Sequence, residues 1–484
     1  MEINEIIEQR KSKFNSLQDK GMPVYSKADA SRIEISRVLH DFKEGKKVCL
    51  SGRVVARRLH GKAAFIDIRD ATGKIQLYFK ESIIGAEKFG LLEFIDVADF
   101  LGVEGELFKT HTGEPTLKVE GFSVLAKSLR PLPEKWHGLK DVELRYRQRY
   151  LDLIANEAVR NVFTLRSRIV KSVRDFLDGR GFQEVETPMM HSIPGGAAGR
   201  PFKTHHNQYD MELYLRIAPE LYLKRLLVGG LDKIYEVNRN FRNEGVSTRH
   251  NPEFTMLEVY QAYSDYEGMM KLCEEMFAYV AMQLWGKTQI TYQGTAIDLT
   301  PPWQRRSFAG MVKERFQILP EDDTETMLQK LKDKGFARDK NRLSRSQVTK
   351  IIEDILEEDM QSSPTFVTDY FTSLCPLART KKDNPLLSER FELYIAGLEI
   401  GNAYSELNDP LEQRRRFEEE IRDLETAEKK AVDDDYVIAL EHGMPPAGGL
   451  GIGIDRMVML LTDQPSIRDV ILFPLLRPEG PHTE

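Results

Sequence analysis

A chain of 484 residues is too long for one compact core, so two or more domains are expected. With 41% hydrophobic and 30% charged residues, its composition is that of a soluble globular protein, and no apolar run approaches the span of a bilayer. A net charge of −7 argues against indiscriminate coating of nucleic acid such as DNA, so any such contact must come from a local basic patch.

Residues 1–20 are charged throughout and lack the apolar core of a secretory leader. The widely separated Cys49, Cys273 and Cys375 fit neither a disulfide framework nor a zinc site, and suit a reducing cytoplasm. Ile3, Ile6, Ile7 and Phe14 predict an exposed amphipathic helix over 3–18. Five strand-like runs follow at 48–58, 63–69, 74–80, 100–110 and 116–126, with a short helical stretch at about 86–95. That order predicts an OB-fold β-barrel over 1–126. Arg53, Arg57 and Arg58 beside Phe65 and Gln76 combine cations, a ring to stack on and an amide to read a base edge, which suits single-stranded RNA. A solvated charged face on a plain β-module is the alternative that composition leaves open. Pro131, Pro133 and Gly138 mark 127–141 as a linker.

Beyond it, 142–484 reads as a second domain. Val162, Leu165, Ile169, Val173 and Phe176 share one helical face, and Gly179 and Gly181 end that helix. A strand over 182–188 stops at Pro188. Further strands are expected at 213–217, 233–237, 254–260, 391–395 and 448–454, and helices at about 220–228, 266–284, 411–428 and 454–461. Strands mixed with helices, without regular βαβ alternation, predict an α+β domain: an antiparallel sheet flanked by helices. Residues about 305–360 read as a helical insertion.

Nucleotide chemistry enters through arginine. Gly286-Lys287-Thr288 lacks the earlier glycine of a P-loop, and Gly449-Leu-Gly451-Ile-Gly453 has the wrong spacing for a dinucleotide fingerprint. A phosphate site must then rely on guanidinium groups, which grip phosphate oxygens in pairs. Arg242, in the polar run 239–244, and Arg456, closing the glycine run 448–453, are the candidates. Those glycines would let backbone approach a flat base. Glu392 and Glu399 are near enough in sequence to share a divalent ion, and hard oxygen ligands with a phosphate partner imply magnesium. Each residue alone has an ordinary explanation as a surface ion pair, a solvated acid or a turn; the joint occurrence argues for a site.

These motifs resemble those of class II aminoacyl-tRNA synthetases. Residues 165–188 resemble the family's first motif, which implies a homodimer interface near Pro188. Phe241-Arg242-Asn243-Glu244 through Phe254 and Tyr260 resembles the second, and 448–456 the third. Among the subgroups, 146–153, 193–196, 215–224 and 401–408 resemble the bacterial lysyl enzymes. A lysine pocket needs acids, and Glu220, Glu258 and Glu406 are present. The resemblance implies that Glu406 and Tyr260 hold the terminal ammonium. Glu220, Glu258 and the Gly196 backbone would hold the α-amino group, and Arg242 and Asn402 the carboxylate. Tyr404, where some relatives carry phenylalanine, would pack along the methylene stem. Glu244, His250 and Asn251 would serve ATP, Phe254 would stack on adenine opposite Arg456, and Glu392 and Glu399 would hold Mg2+.

The implied reaction is attack of the lysine carboxylate on the ATP α-phosphate, steadied by Arg242, then transfer to the terminal ribose of tRNA(Lys). Phe65, Arg58 and Gln76 would read the anticodon. Three rival readings are opposed by particular residues. A protein-lysylating paralogue is opposed by the full barrel. An aspartyl or asparaginyl enzyme is opposed by Glu406 and 215–224. An inactive RNA-binding relative is opposed by retention of Arg242, Glu244, Arg456, Glu392 and Glu399.

Overall fold

The computed structural model describes residues 3–133, 139–197, 199–336, 343–357, 362–423 and 432–478. The chain forms two compact units that divide between Lys140 and Asp141. Part of the expected linker, 134–138, lies outside the described residues.

In the first unit, Lys47–His60, Ala63–Arg69, Lys74–Lys80, Phe100–Lys109 and Pro115–Ala126 close into a barrel. Alternation explains the closure: Ala64, Ile66 and Ile68 are fully buried at every second position of one strand, as strand geometry requires for a face turned inward. The expected helical stretch is present as Glu81–Ile84, Ala86–Gly90 and a tight turn at Leu91–Phe94. The N-terminal helix, Ile3–Asp19, buries only Leu17, and its Arg10 donates to the Ser128 carbonyl at 2.9 Å. At the exit of the last strand Lys127 is fully buried, with Nζ 2.7 Å from Asp99 and 2.5 Å from Asp96.

In the second unit an eight-stranded sheet runs in the order Gln304–Ser307, Thr365–Thr368, Arg390–Ile395, Leu398–Ser405, Ala447–Gly453, Glu253–Ala262, Lys233–Phe241, Gln183–Glu184. The central strands pair antiparallel, as expected, but both edge strands join parallel, so the sheet is mixed. The Glu157–Asp178 helix turns Val162, Ile169, Val173 and Phe176 into a core shared with Phe277 of the Tyr266–Trp285 helix and Leu257 and Ile452 of the sheet.

Several boundaries differ from the sequence reading. The strand expected at 182–188 reduces to Gln183–Glu184, because only Ile234 and Tyr235 lie alongside to pair with it. The strand expected at 213–217 is Met211–Leu215, and it belongs to a separate three-stranded sheet. The insertion is not wholly helical: Gln304–Ser307 forms the sheet edge before the helices Phe308–Phe316, Thr324–Asp333 and Arg345–Glu357. Those helices bury Phe316, Met327, Leu331, Val348 and Ile352 in a core of their own. The helix expected at 411–428 is Pro410–Asp423, and 424–428 lies outside the described residues.

Removing the Lys127 cation strands the buried Asp99 carboxylate and leaves Asp96 with Lys13 alone. Lys127→Met is expected to lower the opening free energy of the barrel strands by about 3–5 kcal/mol, measured by amide hydrogen exchange, with the catalytic strands unchanged.

Candidate active site

The site is built on two rows of residues that cross the sheet. In one, Glu236, Glu258, Gly451, Asn402 and Glu392 stand side by side on successive strands; in the other, Ile234, Tyr260, Gly449, Tyr404 and Arg390 do. Side chains two apart on a strand share a face, so these rows are neighbours. The glycine run is the Ala447–Gly453 strand. Its Leu450 and Ile452 enter the core, while Gly449 and Gly451 leave the ligand face bare. A methyl on Gly449 would overlap the Glu406 carboxylate and fall 2.7 Å from Tyr260 Cε1. The bare strand opens onto a cavity of ≈ 1360 Å³ lined by Gly196, Glu220, Arg242, Glu258, Tyr260, Glu392, Glu399, Asn402 and Tyr404 among others.

One end of the site is acidic and buried. Glu220, Glu258 and Glu406 are 5%, 4% and 0% exposed. Burial, then the nearby Glu220 charge, pushes the Glu258 carboxyl up to about 8. Burial also drives Glu406 well above the carboxylate range, against the pull of Lys224. Lys224, which the sequence reading did not place in the site, is fully buried and donates to Glu220 Oε1 at 2.6 Å while pairing with Glu406. The Tyr404 hydroxyl donates to the same Glu220 oxygen. Gly196 lies against Glu220 with φ +86, where a Cβ would meet that side chain at 3.2 Å.

The other end is rich in arginine. The Arg242 guanidinium lies 5.1 Å from the centre of the Phe254 ring, and its Nε has no hydrogen-bond partner among the described residues. Burial lowers its proton affinity from the ordinary value. Arg456 donates to Glu399 Oε2 at 3.2 Å and meets His250 Nε2 at 3.2 Å. Burial acts to raise Glu399, but Arg456 overrides it and holds that carboxyl below its usual range. Glu392 accepts from the Tyr370 hydroxyl at 2.8 Å and the Tyr394 hydroxyl at 2.7 Å, and pairs with Arg390. From the insertion, Lys350 and Glu353 also line this cavity.

Residues 141–477 match the family described as tRNA synthetases class II (D, K and N), and residues 48–125 match the OB-fold nucleic acid binding domain. A lysine--tRNA ligase of Carboxydothermus hydrogenoformans is 53% identical over 483 residues, covering 99% of each chain. One of Pelotomaculum thermopropionicum is 52% identical, over 99% of this chain and 96% of its own, and one of Clostridium novyi is 48% identical, over 99% and 95%. This chain belongs to the lysine--tRNA ligase family.

The synthetase fold brings together residues that the sequence scatters from Gly196 to Arg456. Tyr260 and Glu406 both flank Gly449, and the Tyr260 hydroxyl donates to Glu258 Oε2 at 3.0 Å, because Tyr260 and Glu258 share one strand face. Phe254 carries Arg242 on its ring, whereas Arg456 is held by Glu399 and His250. Asn251 is buried and bonds the Glu253 carbonyl at 2.6 Å, and Glu244 is exposed. Glu392 and Glu399 lie on two neighbouring strands and not on one segment. Pro188 is exposed, and its carbonyl lies 2.9 Å from His191 Nε2. Apart from Lys224, sequence reading missed Arg216, whose buried ion pair with Glu236 at 2.7 Å braces the acidic row. The strand alternation Gly-Leu-Gly-Ile-Gly was the available signal for a bare ligand face.

On the barrel, Arg58 pairs with Phe65 and Asp67 with Gln76 across adjacent strands. Phe65 lies 5.1 Å from Tyr78, and Tyr78 5.9 Å from Phe108, which makes a row of rings across three strands. Of the three arginines cited for RNA, Arg53 stacks on Phe100 at 4.3 Å and Arg57 donates to the backbone at Ile95 and Glu93. Only Arg58, 3.3 Å from Asp67, stays with the ring face. Gln76 is buried, and its Oε1 accepts from Thr116 at 3.1 Å.

Gly449→Ala is expected to leave the fold intact, checked by circular dichroism, and to lower amino-acid-dependent pyrophosphate exchange about a hundredfold or more. Misplacing reacting groups by about 1 Å costs that much.

Proposed function

We propose that this synthetase activates L-lysine with ATP and transfers it to the 3′-terminal ribose of tRNA(Lys). The carrying observation is that Glu220 and Glu258 line a cavity that Arg242 also lines, with Glu406 buried beside them and paired with Lys224. Lysine carries two ammonium groups and one carboxylate, and that polarity matches. An acidic substrate would bring a further negative charge to carboxylates already raised by burial. Glu406 is read as the partner of the terminal ammonium, Glu220, Glu258 and Gly196 as that of the α-amino end, and Arg242 with Asn402 as that of the carboxylate. Tyr260 steadies Glu258, and Tyr404 packs along the stem.

An ionised carboxylate needs no general base, so activation rests on alignment and charge stabilisation. Arg242 meets the α-phosphate charge as it builds. Phe254 offers a face for adenine, and His250, Arg456, Glu244 and Asn251 are assigned to ATP. Magnesium fits the donor set: Glu353 Oε1 is buried without a hydrogen-bond partner among the described residues, and Glu392 is raised by burial, with Glu353 and Glu399 adding to it against the pull of Arg390, so hard oxygen donors are gathered where a cation would be favoured. Glu392 and Glu399 would hold the ion, which would supply charge neutralisation on the phosphates. On the barrel, Phe65, Arg58 and Gln76 are assigned to anticodon bases.

A homodimer is supported by apolar surface: Phe473 is 71% and Met190 53% exposed, the latter two residues past Pro188. Free cysteines and no described helix long and apolar enough to cross a membrane accord with a cytoplasmic site of action.

Pyrophosphate exchange with each standard amino acid offered separately is expected to show turnover with lysine alone; no exchange with lysine would sink this reading. The pH dependence has a sign. With Glu258 at about 8 instead of 4.5, the substrate-free pocket is protonated there at neutral pH, whereas an ammonium needs the carboxylate. Lysine affinity, measured by equilibrium dialysis, is expected to rise between about pH 6 and pH 8. Glu258→Gln is expected to weaken binding by about tenfold or more and to flatten that slope.

A further inference from the structure

Lys224 is a buried charged group beside the pocket to which the proposed reaction gives no role. It lies one turn beyond Glu220 on the Glu220–Val228 helix and is 0% exposed, behind the cavity wall. Its Nζ donates to Glu220 Oε1 at 2.6 Å, pairs with Glu406, and stands 5.3 Å from the centre of the Tyr404 ring. The Tyr404 hydroxyl donates to the same Glu220 oxygen, so that oxygen is occupied from within the protein. On Glu406, Oε1 has no hydrogen-bond donor among the described residues. Every element packed here contributes a titratable group: Glu220 from its own helix, Tyr404 and Glu406 from the Leu398–Ser405 strand and its exit, Glu258 and Tyr260 from the Glu253–Ala262 strand, and Tyr436 from the Asp434–Glu441 helix.

We propose that Lys224 is a positioning residue for amino-acid recognition, a resident cation that ties Glu220 to Glu406 and sets the pocket's charge for a ligand with two ammonium groups. The proposal rests on the lysine reading above. With all three carboxyls ionised, Glu220, Glu258 and Glu406 against one Lys224 leave two net negative charges, a state that the raised Glu258 and Glu406 reach by giving up protons as lysine binds. Those charges complement the two ammonium groups of lysine once Arg242 takes its carboxylate. Burial raises Glu406 even with Lys224 in place; without Lys224 the cation that opposes this is gone, Glu406 holds its proton more tightly, and a protonated carboxyl offers a donor where an ammonium needs an acceptor. The ion pair also removes the freedom of two carboxylates to rotate away from the ligand.

Kinetics of pyrophosphate exchange by the full-length enzyme test this. For Lys224→Met, the lysine KM is expected to rise about a hundredfold, with the KM for ATP and kcat at saturating lysine within about threefold of wild type. The lysine KM should also fall more steeply with rising pH than in wild type, because Glu406 without Lys224 gives up its proton less readily. A lysine KM within about threefold of wild type with an unchanged pH slope, or a parallel rise in the KM for ATP, would overturn the proposal. Should Lys224→Met fail to fold, Glu406→Gln is compared with Glu406→Gln/Lys224→Met, which removes both paired charges. There the added change should raise the lysine KM by less than about threefold, and a further hundredfold would count against Lys224 acting through Glu406. No lysine exchange by the wild-type enzyme would overturn both this proposal and the reading beneath it.

Discussion

Burial of three carboxylates around one cavity is the constraint on which the rest of the catalytic unit depends. A carboxylate in the interior keeps its charge only beside a cation or several donors. The fold meets this with Lys224 between Glu220 and Glu406, with the Tyr260 hydroxyl on Glu258, and with Arg216 on neighbouring Glu236. What remains is an acidic pocket whose charge is incompletely compensated, in which a cationic ligand completes the balance. Arg242 and Arg456, at the other end, make a region of opposite character. The cavity therefore has a polarity before any ligand enters, and positioning can supply much of the catalysis.

The sheet makes that polarity possible. Antiparallel pairing aligns residues from strands far apart in sequence into straight rows, so Glu258, Asn402 and Glu392 reach one face from three separate segments. The glycine strand keeps the middle of each row clear. Its neighbours could not approach a ligand so closely over a strand with ordinary side chains, as the overlap of a Gly449 methyl with Glu406 shows. The insertion adds Lys350 and Glu353 at the phosphate end, and its own hydrophobic core lets it present them without drawing on the main core.

The barrel follows a different logic. Its interior is closed by alternating apolar residues, and its buried charge, Lys127 with Asp96 and Asp99, is structural. Two of the arginines that attracted attention in the sequence are consumed in holding the 93–100 segment. The ring row of Phe65, Tyr78 and Phe108 is what distinguishes one face.

Much of this was legible in the order of residues. Period-two alternation placed barrel strands at 63–69 and 74–80, and helical periodicity placed the Glu157–Asp178 face, because local backbone geometry dictates both patterns. The identities of Arg242, Glu392, Glu399 and the pocket acids were readable because few residue types can do that chemistry. Partnership was not readable. Which acid Tyr260 bonds and which ring Arg242 covers depend on strand geometry, and whether Lys224 faces water or two carboxylates depends on packing across more than a hundred and fifty residues of chain. Sequence alone determined the kinds of groups present and the elements that carry them. The tertiary structure decided which charges are buried together, and burial is what turns an ordinary glutamate into a selective one.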